Sequence, residues 1–204
     1  MPAGVILAGG RSTRFGDRDK AVATLAGVPM LRRVADRIGG VIDELVVNCR
    51  ESQRDGIAEA VQDYSHPAKF AIDPNPDQGP MAGIRNGLAT CDAEYAFVVA
   101  CDMPFVSPEL VSYLFDRADG HEAAVPQLED NWFQTTHAVY RSNLMVEACD
   151  TALQENKRKI IEALFELDYV VVEADDLREH GSLESFENIN TREEFEIAAE
   201  RFRP

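Results

Sequence analysis

Lysine is nearly missing from this chain. Only four of its 20 basic residues are lysines (Lys20, Lys69, Lys157 and Lys159), against 36 aspartates and glutamates in 204 residues, for a formal charge of −16. Such a carboxylate excess repels polyanions over most of the surface, which argues against nucleic acid or an anionic membrane as a partner. The same composition suits a salty, halophile-like cytoplasm, where counterions screen the self-repulsion. Tryptophan occurs once, at Trp132. The four cysteines (Cys49, Cys91, Cys101 and Cys149) form no C-x-x-C pair and have no histidine at metal-ligand spacing. They are expected to be buried free thiols, not a disulfide framework or a metal site. No uninterrupted apolar run approaches the roughly 20 residues that cross a bilayer. The start, "MPAGVILAGG", has neither the basic residues nor the apolar length of a secretory leader. A cytoplasmic protein, monomeric or weakly oligomeric, is expected.

What is present is enough apolar residue, 45%, to bury a substantial core. Apolar spacing alternates between strand and helix. Gly4–Leu7, Glu44–Cys49, Lys69–Asp73 and Tyr95–Asp102 read as strands, the last a continuous apolar run of the kind covered on both faces. Between them, Met30–Ile38 (closed by Gly39-Gly40), Gln53–Gln62 and Met81–Thr90 read as helices. A helix from Pro108 to Arg117 with Ser107 as N-cap follows. Beyond it come extended "EAAVPQ" and "WFQTTHAVY", helices Leu144–Gln154 and Ile160–Leu167, the strand "YVVVEA", and a helix Arg192–Phe202 opened by a Thr191–Glu194 capping box. This order predicts a three-layer α/β/α sandwich with a mostly parallel, Rossmann-like sheet, antiparallel strands being added near Trp132. No linker or repeat interrupts it. One domain is expected, in two halves of about residues 1–106 and 107–204.

Ligands of such sheets sit beyond the carboxyl ends of the strands. Leu7-Ala8-Gly9-Gly10 lies there, where glycines let a ligand approach the backbone. The spacing fits neither a Walker A loop nor a G-x-G-x-x-G fingerprint, since Asp17 stands where the former needs Lys-Ser/Thr. The distinguishing feature is charge. Residues 11–20 hold four cations, Arg11, Arg14, Arg18 and Lys20. Arg14 and Lys20 could converge on a triphosphate, the arginine as a forked donor and the lysine as a point charge. Asp102, at the tip of the most apolar strand, needs a counter-charge there, and beside a triphosphate Mg2+ is the fitting one. Asp73 occupies the matching tip of its own strand, and Asn48 a third.

Four segments together, "LAGGRSTRFGDRDK", "DQGPMAGI", "CDMPF" and "NINT", resemble the molybdenum cofactor guanylyltransferases, nucleotidyltransferases of glycosyltransferase-A-like fold. The resemblance runs from Leu7 to the "NINTREEFE" segment. It implies transfer of GMP from GTP to the terminal phosphate of molybdopterin, with release of pyrophosphate. By that resemblance Leu7, Ala8, Gly9 and Gly10 contact GTP, and Lys20 binds its phosphates. Asn48 and Asp73 serve guanine and ribose, Asp102 holds Mg2+, and Asn188 and Asn190 lie near the metal and the acceptor. Catalysis is then assigned to Arg14, Lys20 and Asp102. Molybdoenzymes or cofactor-delivery proteins are the implied protein partners. Rival readings are the same scaffold with another acceptor (cobinamide phosphate, phospholactate) or with CTP, and a non-catalytic nucleotide-binding delivery partner.

Three residues near the acceptor side stay open on sequence grounds. His137 reads as a structural or pterin-lining side chain, since an ionised acceptor phosphate needs no base. Trp132 and Phe133 read either as packing residues or as a platform for a pterin ring. The charge excess makes a prediction of its own: thermal melting followed against KCl should shift to higher temperature as salt rises, and a midpoint falling with salt contradicts the halophilic reading.

Overall fold

The computed structural model describes residues 2–10, 19–74, 78–129 and 131–203. Nine strands and eight α-helices are described, in the order β1 (Ala3–Leu7), β2 (Thr24–Leu25), β3 (Val28–Pro29), α1 (Met30–Ile38), β4 (Glu44–Cys49), α2 (Arg54–Ala60), β5 (Ala68–Ile72), α3 (Pro80–Thr90), β6 (Tyr95–Ala100), α4 (Pro108–Ala118), β7 (Ala123–Gln127), β8 (His137–Arg141), α5 (Ser142–Gln154), α6 (Ile160–Leu164), β9 (Tyr169–Glu173), α7 (Ala174–His180) and α8 (Arg192–Arg201). Seven strands form one sheet in the order β5-β4-β1-β6-β8-β7-β9. All run parallel except β8, which is antiparallel to both β6 and β7. The expected three-layer, mostly parallel architecture is therefore what the chain adopts.

Strand alternation divides the core. Ile6, Phe97 and Val99 face a layer that contains Leu31, Val34 and Ile38 of α1, Ile57 of α2, Leu110 and Leu114 of α4, and Leu177 of α7. Val5, Ala96 and Val98 face the opposite layer, with Met81, Ile84 and Leu88 of α3, Met145 and Cys149 of α5, and Leu164 of α6. Both faces of β1 and β6 are covered, which is why these strands read as unbroken apolar runs. No helix is long and apolar enough among the described residues to cross a membrane.

A third, smaller cluster joins distant parts of the chain. Leu25 and Met30, from the β2–β3 hairpin and its exit, pack with Phe105, Ile189 and Ala198. Phe105 and Phe202 stack at 5.0 Å, with Arg201 3.7 Å over one ring and Arg33 4.0 Å over the other. The chain's last helix is thereby pinned beside the loop that follows β6.

Several boundaries differ from the sequence reading. "WFQTTHAVY" is strand only from His137. Of the five residues before it only Phe133 pairs, in an isolated bridge to Gln127; Asn131 ahead of them is at φ 60°, Gln134 N–H donates to the Pro126 carbonyl and His137 N–H to the Gln134 carbonyl in a turn. The helix expected over Ile160–Leu167 stops at Leu164. Asp73 and Asp102 lie just past their strands, which end at Ile72 and Ala100. The β2–β3 hairpin, with Ala26 and Gly27 both at positive φ, and helix α7 had no periodic signal, because two-residue strands and a helix burying only Ala174 and Leu177 carry too few apolar positions. The cysteines are free as expected, but Cys91 is only partly buried. Burial pushes the thiol pKa values up, to about 11 for Cys49 and Cys91 and about 12 for Cys149, so none is poised as a nucleophile.

His137 is fully buried, its ring 5.0 Å from that of Phe97 and 4.4 Å from that of Phe186, which rules out a pterin-lining role. The Ser185 hydroxyl accepts from Ser107 N–H at 2.9 Å, so its own proton is available for His137 Nε2 at 3.2 Å. Burial pushes the His137 pKa down to about 3. Between that value and the unfolded value near 6.5, the unfolded chain binds one proton more than the folded chain. Stability contributed by the neutral ring is thus complete above pH 6.5 and is lost as pH falls through this window, by up to about 1.4 kcal/mol per unit. Urea midpoints measured as the pH is lowered from 7 to 4 should fall more steeply for the parent than for His137→Gln. Parallel curves would mean that the ring is already charged in the folded state.

Candidate active site

The register aligns the carboxyl ends of the central strands. Leu7 is opposite Asn48 on one side and Ala100 on the other. Backbone hydrogen bonds continue past the strand ends along this rim, from Cys101 N–H to the Leu7 carbonyl (3.1 Å), Ala8 N–H to the Asn48 carbonyl (2.8 Å) and Asp73 N–H to the Cys49 carbonyl (2.9 Å). Four strands therefore deliver the glycine turn, Asn48, Asp73 and Asp102 to one edge of the sheet.

At this edge Lys20 and Asp102 do not face each other across open space. They form a direct ion pair, Nζ to Oδ2 at 2.7 Å, with only 11% and 19% of their side chains exposed. Lys20 begins a three-ten turn, Lys20–Val22, whose N-cap Asp19 accepts from Ala21 N–H. Asn190, 170 residues further on, accepts from the same ammonium at 3.3 Å. Its neighbour Ile189 donates its N–H to the Asp102 carbonyl at 2.9 Å, while Asn190 N–H and Thr191 N–H are capped by the Glu194 carboxylate. Three remote segments thus converge on one charge pair. Coulomb attraction at such a distance is worth on the order of 6 kcal/mol at an effective dielectric near 20, before desolvation is subtracted. The other carboxylate oxygen of Asp102, Oδ1, is buried and has no hydrogen-bond partner among the described residues. Asn188, two residues before Asn190, is exposed and joins none of these bonds.

The opposite flank is an amide clamp. Asn48 Nδ2 donates to Asp73 Oδ1 at 2.6 Å and to the Ala71 carbonyl at 3.1 Å, and Asn86 of α3 donates to the same Asp73 oxygen at 3.0 Å. Glycine is required around this clamp for steric reasons. A Cβ on Gly9 would stand 2.5 Å from Asp73 Oδ2, and one on Gly83 would stand 2.6 Å from Asn48 Oδ1. At Gly10 a Cβ would meet nothing within 4 Å, so the two glycines of the pair are there for different reasons.

Two participants had no signal in the sequence. Buried Gln53 donates to the Ala8 carbonyl at 2.9 Å and to Asp19 Oδ2 at 2.7 Å, joining the glycine turn to the cap of the Lys20 segment. Asn86 sits in a helix whose other polar positions look alike in sequence. Arg14, with Arg11 and Arg18, lies outside the described residues. Among the described residues no group of three or more acidic, histidine or cysteine side chains forms a ready metal cage.

Comparison with known proteins points to one family. Residues 4–170 match the family model described as the MobA-like NTP transferase domain. A protein of Natronomonas pharaonis called a probable molybdenum cofactor guanylyltransferase is 54% identical over 198 residues, covering 97% of this chain and 96% of its own. One of the same name from Haloferax mediterranei is 36% identical, covering 98% and 93%. Among solved structures, the molybdopterin-guanine dinucleotide biosynthesis protein A of Archaeoglobus fulgidus superposes with a TM-score of 0.79 at 25% identity, covering 98% of this chain and 97% of that one. The 4-diphosphocytidyl-2C-methyl-D-erythritol synthase of Anaerococcus prevotii, at 17% identity and a TM-score of 0.76, shares the fold.

The clamp makes a specific prediction. Gly83→Ala forces Asn48 away from Asp73 while leaving the Lys20–Asp102 pair untouched. Nucleotide KM should rise roughly tenfold, the cost of about one charge-assisted hydrogen bond, with kcat little changed in steady-state assays. A fall in kcat at constant KM would place the clamp elsewhere in the reaction.

Proposed function

The chain belongs to the MobA-like NTP transferase family, and on that premise we propose that it transfers GMP from GTP to the terminal phosphate of molybdopterin, releasing pyrophosphate and forming molybdopterin guanine dinucleotide. The observation that carries this reading is the convergence of Lys20, Asp102 and Asn190 on one rim, beside a glycine turn that a ligand can approach.

In the reaction an oxygen of the acceptor phosphate forms a bond to the α-phosphorus of GTP. The bond from that phosphorus to the bridging oxygen of the β-phosphate breaks, and pyrophosphate leaves with the electron pair. A phosphate monoester is largely ionised at neutral pH, so no base is needed. The protein's tasks are positioning and charge neutralisation. The backbone of Leu7, Ala8, Gly9 and Gly10 lines the nucleotide. Asp73 Oδ1 is taken by two amides, which leaves Oδ2, next to Gly9, for a ribose hydroxyl, and leaves Asn48 Oδ1 as an acceptor near the base. Lys20 transfers its charge from Asp102 to the phosphates, with Asn190 keeping the ammonium oriented, and Arg14 adds a second cation.

Asp102 fits a divalent cation: its buried Oδ1 has no partner, and its Oδ2 is released when Lys20 turns to phosphate. Mg2+ would be held there by this carboxylate together with phosphate oxygens and water, and would supply neutralisation of the charge on the triphosphate.

Pyrophosphate release tests the reading, measured with GTP or CTP and with molybdopterin, cobinamide phosphate or phospholactate in turn. GTP with molybdopterin should be the productive pair. Release with a different acceptor reassigns the substrate, and no release with any acceptor removes the enzyme. Asp102→Asn should lower kcat at least about a hundredfold in a chain that still melts cooperatively. Lys20→Ala should both raise the KM for GTP and lower kcat. Unchanged kinetics in either variant would contradict its assigned role.

A further inference from the structure

The acceptor has two ends, and the charged rim accounts for one of them. Its phosphate belongs beside Asp102. Its pterin is a reduced ring system whose aminopyrimidinone ring stays flat and uncharged, so it calls for an aromatic or apolar surface along the same rim.

The loop between β7 and β8 supplies one. Strand β7 runs parallel to β6, so its carboxyl end at Gln127 opens on the same edge as Asp102. Only β8 separates the two strands. At roughly 4.8 Å per strand their tips stand about 10 Å apart, comparable to the span of the acceptor from phosphate to ring. The register of β8 reinforces this placement. His137 is opposite Val99, so the residues just before it, Gln134 to Thr136, run past the end of β6 beside the Cys101–Asp102 tip.

The described residues of this loop are held by specific contacts. Phe133 bridges to Gln127, and its ring packs edge-on against Phe165 and Tyr169 at 6.3 and 5.9 Å. Gln127 Nε2 donates to the Asn131 carbonyl, and Asn131 N–H to the Leu128 carbonyl. Glu129 is ion-paired with Arg178 of α7. Inside this frame the largest side chain is left out of the core: Trp132 is 71% exposed. The tryptophan and phenylalanine that sequence treats alike thus differ in exposure, Trp132 lying mostly in solvent. An indole whose chain neighbours Asn131 and Phe133 are tied down by backbone bonds loses little entropy when it stacks on a ligand's flat ring.

We propose that Trp132 is the platform on which the pterin ring of the acceptor stacks, making it the residue that selects a pterin-bearing phosphate over a plain phosphate ester. The inference rests on the proposed guanylyl transfer and adds the specificity element to it.

Trp132 is the chain's only tryptophan, so intrinsic emission reports on this site alone. Molybdopterin added to the wild-type protein should quench that emission after correction against free N-acetyltryptophanamide, whereas glycerol 3-phosphate should leave it unchanged. In kinetic assays Trp132→Ala should raise the KM for molybdopterin roughly tenfold, as expected for loss of one stacked ring. Its KM for GTP and its kcat should match the parent. Trp132→Phe should recover most of the loss. Emission that does not respond to saturating molybdopterin, or an acceptor KM in Trp132→Ala equal to the parent's, overturns the proposal. The two levels fail separately. A chain that turns over but whose indole is silent loses only the platform. A chain that quenches on molybdopterin yet transfers no GMP loses the transferase and keeps the pterin site.

Discussion

A lysine and an aspartate held at 2.7 Å, both largely removed from solvent, set the terms for the rest of this molecule. Burying two charges is costly unless each is satisfied, and a pair of this kind is tolerated where structure around it enforces the geometry. Here the enforcement comes from three directions. The sheet fixes Asp102 through the continuation of the β1–β6 ladder. The Asp19–Gln53 bonds fix the start of the Lys20 turn. Asn190 and Ile189 close the pair from the far end of the chain. The pair is complete without ligand, but among the described residues one carboxylate oxygen has no partner. On the proposed reading a phosphate-bearing nucleotide and a cation would together take over what the resting pair satisfies alone, and one side-chain rearrangement would couple their binding.

The amide clamp on the other flank follows a different logic. Asp73 carries a charge, but its partners are neutral carboxamides, Asn48 and Asn86. Amides can orient a carboxylate without neutralising it, so the oxygen next to Gly9 keeps its capacity to accept hydrogen bonds from a sugar. The rim thus separates its tasks in space. The charge pair lies at the β1–β6 side and the amide clamp at the β4–β5 side, with the glycine turn between them, so the proposed cation and phosphate chemistry would be kept apart from hydroxyl and base recognition. A net charge of −16 is compatible with a polyanionic substrate because the relevant field is local.

Stability and function meet in the segment between α7 and α8. Buried Ser185 takes the Ser107 N–H and faces His137, Ile189 enters a small core with Phe105 and Ala198, and Asn190 emerges on Lys20. Each of these residues acts through the next. The apolar members lock the backbone so that the polar member at its end arrives within hydrogen-bond reach. That explains why a fully buried histidine, useless as a proton carrier, still lies behind the reactive edge.

How much of this could be read from the residues depended on whether the cause was local. Parallel strands covered on both faces leave unbroken apolar runs, amphipathic helices leave a four-residue rhythm, and Thr191 with Glu194 spells a capping box; each follows from interactions within a few positions, and each was recovered. Asp102, Asp73, Asn48 and Lys20 could be singled out because polar residues at the tips of apolar strands, and cations beside a glycine turn, are exceptional where they stand. The roles of Gln53, Asn86 and Ser185, the separation of Trp132 from Phe133, and the burial of His137 had no local signature. They arise from which segments the sheet order brings together, over separations as long as the 170 residues between Lys20 and Asn190. The chain itself determined its layers, its strand tips and the chemistry it carries to them. Only the tertiary structure decided that lysine and aspartate touch instead of facing each other across a gap, because that contact is set by register and by packing between remote elements, and neither is encoded in the spacing of neighbours.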